Sequence, residues 1–180
     1  MKKWIAFLLA VLVFFTLHEG AHALVAGFYG EFDAFHVRPI GMEVTFNTPV
    51  PQRSGIQWAY ISGVSNIATL AMGYILLMFA DTVSRSPNIL FKATVYYLTV
   101  FGLFLDALNL SVGPFLYGGD ANGIAVGLGV NRLLLQAVFF TIFLVNHEIV
   151  TKKLLPAYNV ETESPVWKPW FKFARQTEHD

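Results

Sequence analysis

No cysteine occurs among the 180 residues. That excludes disulfides and thiolate-ligated metal centres, so a metal site here must be built from His, Asp or Glu. Charge is also scarce: Asp, Glu, Lys and Arg make up 13% of the sequence, about half the share found in an ordinary soluble domain. Twelve basic residues balance twelve acidic ones, for a net charge of zero, and nothing marks a nucleic-acid-binding surface. There is no internal repeat and no low-complexity tract. What fills the sequence is apolar: 55% hydrophobic residues, 16% aromatic, and a mean hydropathy of +0.53. This composition points to an all-α integral membrane protein with one membrane domain.

Four apolar segments are long enough to cross a bilayer, at residues 4–28, 56–80, 91–112 and 124–150. Residues 1–150 form the expected membrane core. Residues 151–180 form a tail in which Trp167, Trp170, Phe171 and Phe173 mix with Lys168, Lys172 and Arg175, the composition of an interfacial anchor. Between the first two spans, Phe35 and Val37 alternate with His36 and Arg38, and Met42, Val44 and Phe46 alternate with Glu43, Thr45 and Asn47. Pro39-Ile40-Gly41 separates the two runs, so a short β-hairpin is expected. Its edge either receives an extended substrate or shields the first span. In the second span Ser62, Asn66, Thr69 and Gly73 share one face, which reads first as a close-packing surface. Gly123, Gly127 and Gly129 at the head of the fourth span read the same way. Lys2, Lys3, Arg85, Lys92, Lys152 and Lys153 bias both termini to the cytoplasm.

The first span holds His18-Glu19-Gly20-Ala21-His22. Two histidines at i and i+4 lie on one helical face, one turn apart, and can grip a single metal ion. Glu19 is rotated away by about a third of a turn. It stands beside such an ion without ligating it, where a general base belongs. Each ionisable group at mid-bilayer costs about 2.5–3.5 kcal/mol on insertion scales, and a bound cation offsets that cost. The same opening also fits a secretory signal peptide, with Lys2-Lys3 as its charged region and Ala21-His22-Ala23 as its cleavage site. Against this, the apolar run resumes directly after Ala23.

Catalytic zinc commonly takes three protein ligands and keeps one position open. The candidates for the third are His36, Asp106, Asp120, His147 and Glu148. Spans one and three run in the same direction, so the end of span three returns to the level of His18 and His22. His147 and Glu148 fall about 35 Å away by helical rise. His36 reads as a solvated hairpin residue. Asp106 matches the depth of His18, whereas Asp120 sits in a Gly-rich break that can line a cavity or cap the next helix. The residues leave both aspartates open.

The first-span HExxH, the hairpin, the Ser62-Gly63-Val64-Ser65-Asn66 region, and Asn109 followed by Gly113-Pro114 and Gly118-Gly119-Asp120 together resemble the site-2 protease family of intramembrane zinc metalloproteases. The likeness covers most of residues 4–130, in a minimal form without an inserted PDZ-like domain. It implies Zn²⁺ on His18, His22 and Asp120, Glu19 as the catalytic base, and Asn109 as a substrate-holding residue. The family's usual Leu-Asp-Gly is Gly-Gly-Asp here, which keeps Asp106 in reserve. The implied function is cleavage of membrane-anchored proteins within or near the bilayer. The family commonly opens its site toward the cytoplasm, whereas the charge bias places the motif in the outer half of span one. Two other readings are a non-catalytic scaffold or chaperone on the same fold, and a metal carrier. A carrier needs ionisable residues along a continuous path, and one cluster is visible.

Overall fold

The computed structural model describes residues 2–39, 41–116 and 119–171. Ile40, Gly118, Lys172, Phe173 and Arg175 therefore lie outside the described residues. Among the described residues, four helices are long and apolar enough to cross a membrane. The first, α1 (Lys2–Phe28), buries Ala6, Ala10, Phe14, His18, His22 and Ala26. That spacing of four makes a single ridge, and its alanines keep the ridge low enough for neighbouring helices to approach closely. The two histidines continue this packing stripe. The helix ends at Gly30, with φ +71°, where the Glu31 N–H donates back to the Ala26 carbonyl at 2.8 Å. A left-handed residue closing such a bond is a C-terminal cap that favours glycine.

Strands β1 (Phe32–Arg38) and β2 (Gly41–Phe46) pair antiparallel, with Phe35 opposite Val44 and Val37 opposite Met42. The register slips between Phe32 and Ala34. Val44 is buried and Glu43 exposed, as the alternation requires. β2 lies against α1.

Helix α2 (Gln57–Met78) leads through the short α3 (Ala80–Ser84) to α4 (Ile89–Ser111). Asn88 caps α4 by accepting the Phe91 N–H. α4 is the central element, packed on α1, α2 and α6. Its approach to α2 is backbone on backbone: a Cβ on Gly73 would lie 2.8 Å from the Gly102 carbonyl carbon.

The fourth apolar segment departs from the expected span at 124–150. It is two helices, α5 (Gly119–Leu128) and α6 (Arg132–Ile149), the latter continuing through a π-helical turn at Val150–Leu154 to Ala157. Gly129, at φ +64°, ends α5, and Asn131 caps α6 by accepting the Leu133 N–H. Continuous hydropathy hides this break, because the punctuation is two polar or small residues in an apolar run. The long helix therefore begins at Arg132 and ends at Ala157. The tail folds back onto it. His147 Nε2 lies 2.6 Å from the Val166 carbonyl, Trp170 stacks on the His147 ring at 3.8 Å, and Trp167 meets Phe104 edge-on.

α5 is held close to α2 by small residues. A side chain on Gly123 would collide with Ser62, and one on Gly127 with Ala59. Overpacking of this kind typically costs about 1–3 kcal/mol. Gly127→Val should lower the midpoint of SDS-induced unfolding in detergent, whereas Gly27→Ala, with nothing within 4 Å of the added carbon, should leave it unchanged.

Candidate metal centre

Three elements meet at one end of the bundle. The ridge of α1 presents His18 and His22 with their rings edge to face at 5.0 Å. The exit half of α4 supplies Asp106, and the first turn of α5 supplies Asp120. His18, His22 and Asp120 each place one ligand atom within 4.8 Å of the others. Asp120 Oδ2 is 3.5 Å from His18 Nε2, and Oδ1 is 3.3 Å from His22 Nε2.

The other ring nitrogens point outward, each toward an oxygen. His22 Nδ1 lies 2.6 Å from the Ile61 carbonyl oxygen. A carbonyl only accepts, so this nitrogen carries the proton and Nε2 presents its lone pair to the cluster. His18 Nδ1 lies 3.2 Å from Asp106 Oδ1, in ion-pair reach but poorly aligned for a hydrogen bond. This arrangement, with each imidazole backed by an oxygen acceptor behind a shared inner atom, is how metal-ligating histidines are oriented. By this test the residues fit a divalent cation.

A further layer comes from α2. Asn66 Nδ2 donates to Asp120 Oδ2 at 3.2 Å, the Thr69 hydroxyl donates to Asp106 Oδ2, and Ser65 Oγ lies 2.9 Å from His22 Nε2. All three α2 residues are buried. Asn66 and Thr69 belong to the face that spacing alone reads as a packing surface, and Ser65 adjoins it. Polar residues repeating at helical spacing in an apolar span were the available signal, and the aspartates they serve lie 54 and 37 positions away in the sequence.

Glu19 stands beside the cluster, outside the three-residue group. Its Oε2 accepts the Val44 N–H at 3.0 Å. Since that N–H points toward α1, the unpaired edge of β2 faces the site. Two cavities open onto the cluster. One, of about 430 Å³, is lined by Phe14, His18, Glu19, Asp106 and Asn109 among others. The other, of about 530 Å³, lies along β2 and includes Val44, Arg53, Asp120 and Asn122. Burial draws the Arg53 guanidinium below its ordinary pKa, while the carboxylates of Glu31 and Asp120 hold it up; an arginine stays cationic throughout.

The structure thus gathers His18, His22, Glu19, Asp106, Asp120 and Asn109 in one region. His36 remains on β1, where its Nε2 is 3.4 Å from Thr45 Oγ1. His147 and Glu148 serve the returning tail, Glu148 Oε1 accepting the Trp170 N–H at 2.7 Å. Comparisons with protein-family models, curated proteins and solved structures find no match. Function is therefore read from this geometry.

The two aspartates should behave differently. If His18, His22 and Asp120 hold Zn²⁺, Asp120→Ala should abolish stoichiometric binding. Asp106→Ala should weaken it by about 10–100-fold, the usual cost of losing an outer-shell partner. Chelator competition on purified protein separates the two, and equal losses would contradict the assignment.

Proposed function

We propose that this is a multi-pass membrane protein that hydrolyses peptide bonds of membrane-anchored proteins, an intramembrane zinc metalloprotease of the site-2 protease type. The observation that carries this reading is the convergence of His18 Nε2 and His22 Nε2 on Asp120, with Glu19 standing adjacent and unligated. Zn²⁺ held by these three side chains supplies Lewis acidity toward a carbonyl oxygen and toward water.

The protein's own groups do the rest. Glu19 takes the proton of the attacking water and returns it to the leaving amine nitrogen. The Ile61 carbonyl fixes the tautomer of His22, and the Asp106 carboxylate stands within 3.2 Å of His18 Nδ1. Asn66 steadies Asp120. Asn109, on the wall of the smaller cavity, faces the space where a substrate segment is held.

A substrate helix must unwind locally, because its own hydrogen bonds shield the scissile carbonyl. The outward edge of β2 offers replacement main-chain partners at Met42, Val44 and Phe46, which share a side by the two-residue period of a strand. Its Val44 N–H is the one now taken by Glu19. In this reading the four long helices cross the bilayer with both termini in the cytoplasm, and the partners are lipid and a membrane-anchored substrate. A scaffold on the same fold would need Glu19 only to hold β2 through the Val44 N–H, whereas its place beside the three-residue group suits a general base, and this favours the enzyme.

Glu19→Gln should bind Zn²⁺ as the wild type does and cleave a membrane-anchored reporter about 10²–10⁴-fold more slowly, the range for loss of a general base. Normal cleavage by this variant would remove Glu19 from the mechanism.

A further inference from the structure

The two cavities beside the cluster differ in chemistry. The smaller is walled by Phe14, Phe15, Leu105, Leu108 and Leu116 around the polar site residues. The larger, along β2, holds three charged side chains: Glu43, Arg53 and Asp120. Two of them already have close partners. Glu43 Oε2 is 2.8 Å from Arg38 Nε, and Asp120 faces two imidazoles. Arg53 differs: the carboxylates of Glu31 and Asp120 favour its charge from a distance, and neither is in ion-pair contact with it. Its Nε donates to the Thr48 carbonyl at 3.2 Å, yet among the described residues it forms no ion pair.

The Arg53 side chain is nevertheless held in place. The guanidinium carbon sits 4.3 Å from the centroid of the Trp58 ring and 5.0 Å from that of Phe46. Those rings pack edge to face, and Phe46 also meets the His22 ring edge to face. Trp58 is fully buried. Stacking and the Thr48 bond fix one face and one edge of the guanidinium, leaving its terminal nitrogens as a prepared fork. Such a fork matches a carboxylate in two-point geometry.

We propose that Arg53 is a specificity-determining residue that binds a carboxylate on the substrate segment lying in the β2 cavity. The inference rests on the protease reading and adds a substrate class: single-pass proteins whose unwound segment places its apolar side in the smaller cavity and an acidic group at Arg53. That carboxylate comes from an Asp or Glu side chain or from a free C-terminus, and both present the same two oxygens.

The test uses single-span peptides in phosphatidylcholine vesicles with the full-length, Zn²⁺-loaded protein. Asp is placed in turn at each position flanking the apolar segment. A second set ends near that position with either a free carboxylate or an amide. Binding is read by photo-crosslinking to the Glu19→Gln protein, and cleavage with the wild type. An acidic group at one position should improve kcat/KM and crosslinking on the order of tenfold or more, the size of a charged hydrogen bond. Which set shows the effect identifies the source. Arg53→Gln should erase the preference while keeping Zn²⁺ binding and cleavage of the neutral peptide. Arg53→Lys should retain part of it, and Arg53→Glu should shift the preference to a Lys-bearing peptide.

Cleavage without any acidic preference, or a preference that persists in Arg53→Gln, overturns this inference and leaves the protease reading standing. Arg53-dependent binding of acidic peptides that are never cut overturns the protease reading and keeps the binding role. Peptides that neither bind nor react defeat both.

Discussion

Two imidazoles aimed at one carboxylate, inside a bundle of apolar helices, is the arrangement on which everything else depends. Ionisable groups taken out of water must be paired or must bind an ion, because their desolvation outweighs most single contacts. Here the pairing is organised in layers. The nitrogens facing away from the cluster meet Asp106 and the Ile61 carbonyl. The facing nitrogens share Asp120, which is itself tied to Asn66. A cation at the centre would take both Nε2 atoms and Asp120, with Ser65 Oγ giving up its contact with His22 Nε2.

Holding that layer together demands short distances between helices, and small residues provide them. Gly73 against Gly102 brings α2 to α4, and Gly123 and Gly127 bring α5 to α2. The second of these contacts matters most for chemistry, since α5 carries Asp120 on its first turn. Packing and site are consequently one problem here. The α2 face that admits close neighbours also presents Ser65, Asn66 and Thr69 to the cluster. On the far side, β2 turns its unpaired edge to the same place through the Val44 N–H.

Much of this was legible in the residues, and the exceptions have physical causes. The i, i+4 histidines and the alternation at Phe35–Val37 and Met42–Phe46 are periodic signals, and the structure repeats them. Choosing between Asp106 and Asp120 lay beyond periodicity, because depth favours one and loop freedom the other. The geometry gives each a different neighbour: Asp106 meets His18 Nδ1, and Asp120 meets both Nε2 atoms. The break at Gly129–Asn131 was masked by hydropathy, which does not register a left-handed residue or a cap. Ile61 was invisible for a deeper reason: its contribution is a main-chain carbonyl, which every residue has.

The most direct test of a cation clasped by this cluster is X-ray absorption at the zinc edge on the purified, detergent-solubilised protein. One zinc per protein molecule is expected, with scattering from two imidazoles at about 2.0–2.1 Å and a carboxylate oxygen at a similar distance, and loss of one imidazole, or of the zinc itself, in His18→Ala. A zinc shell of oxygen alone, or a wild-type protein that retains no zinc after desalting, would contradict this.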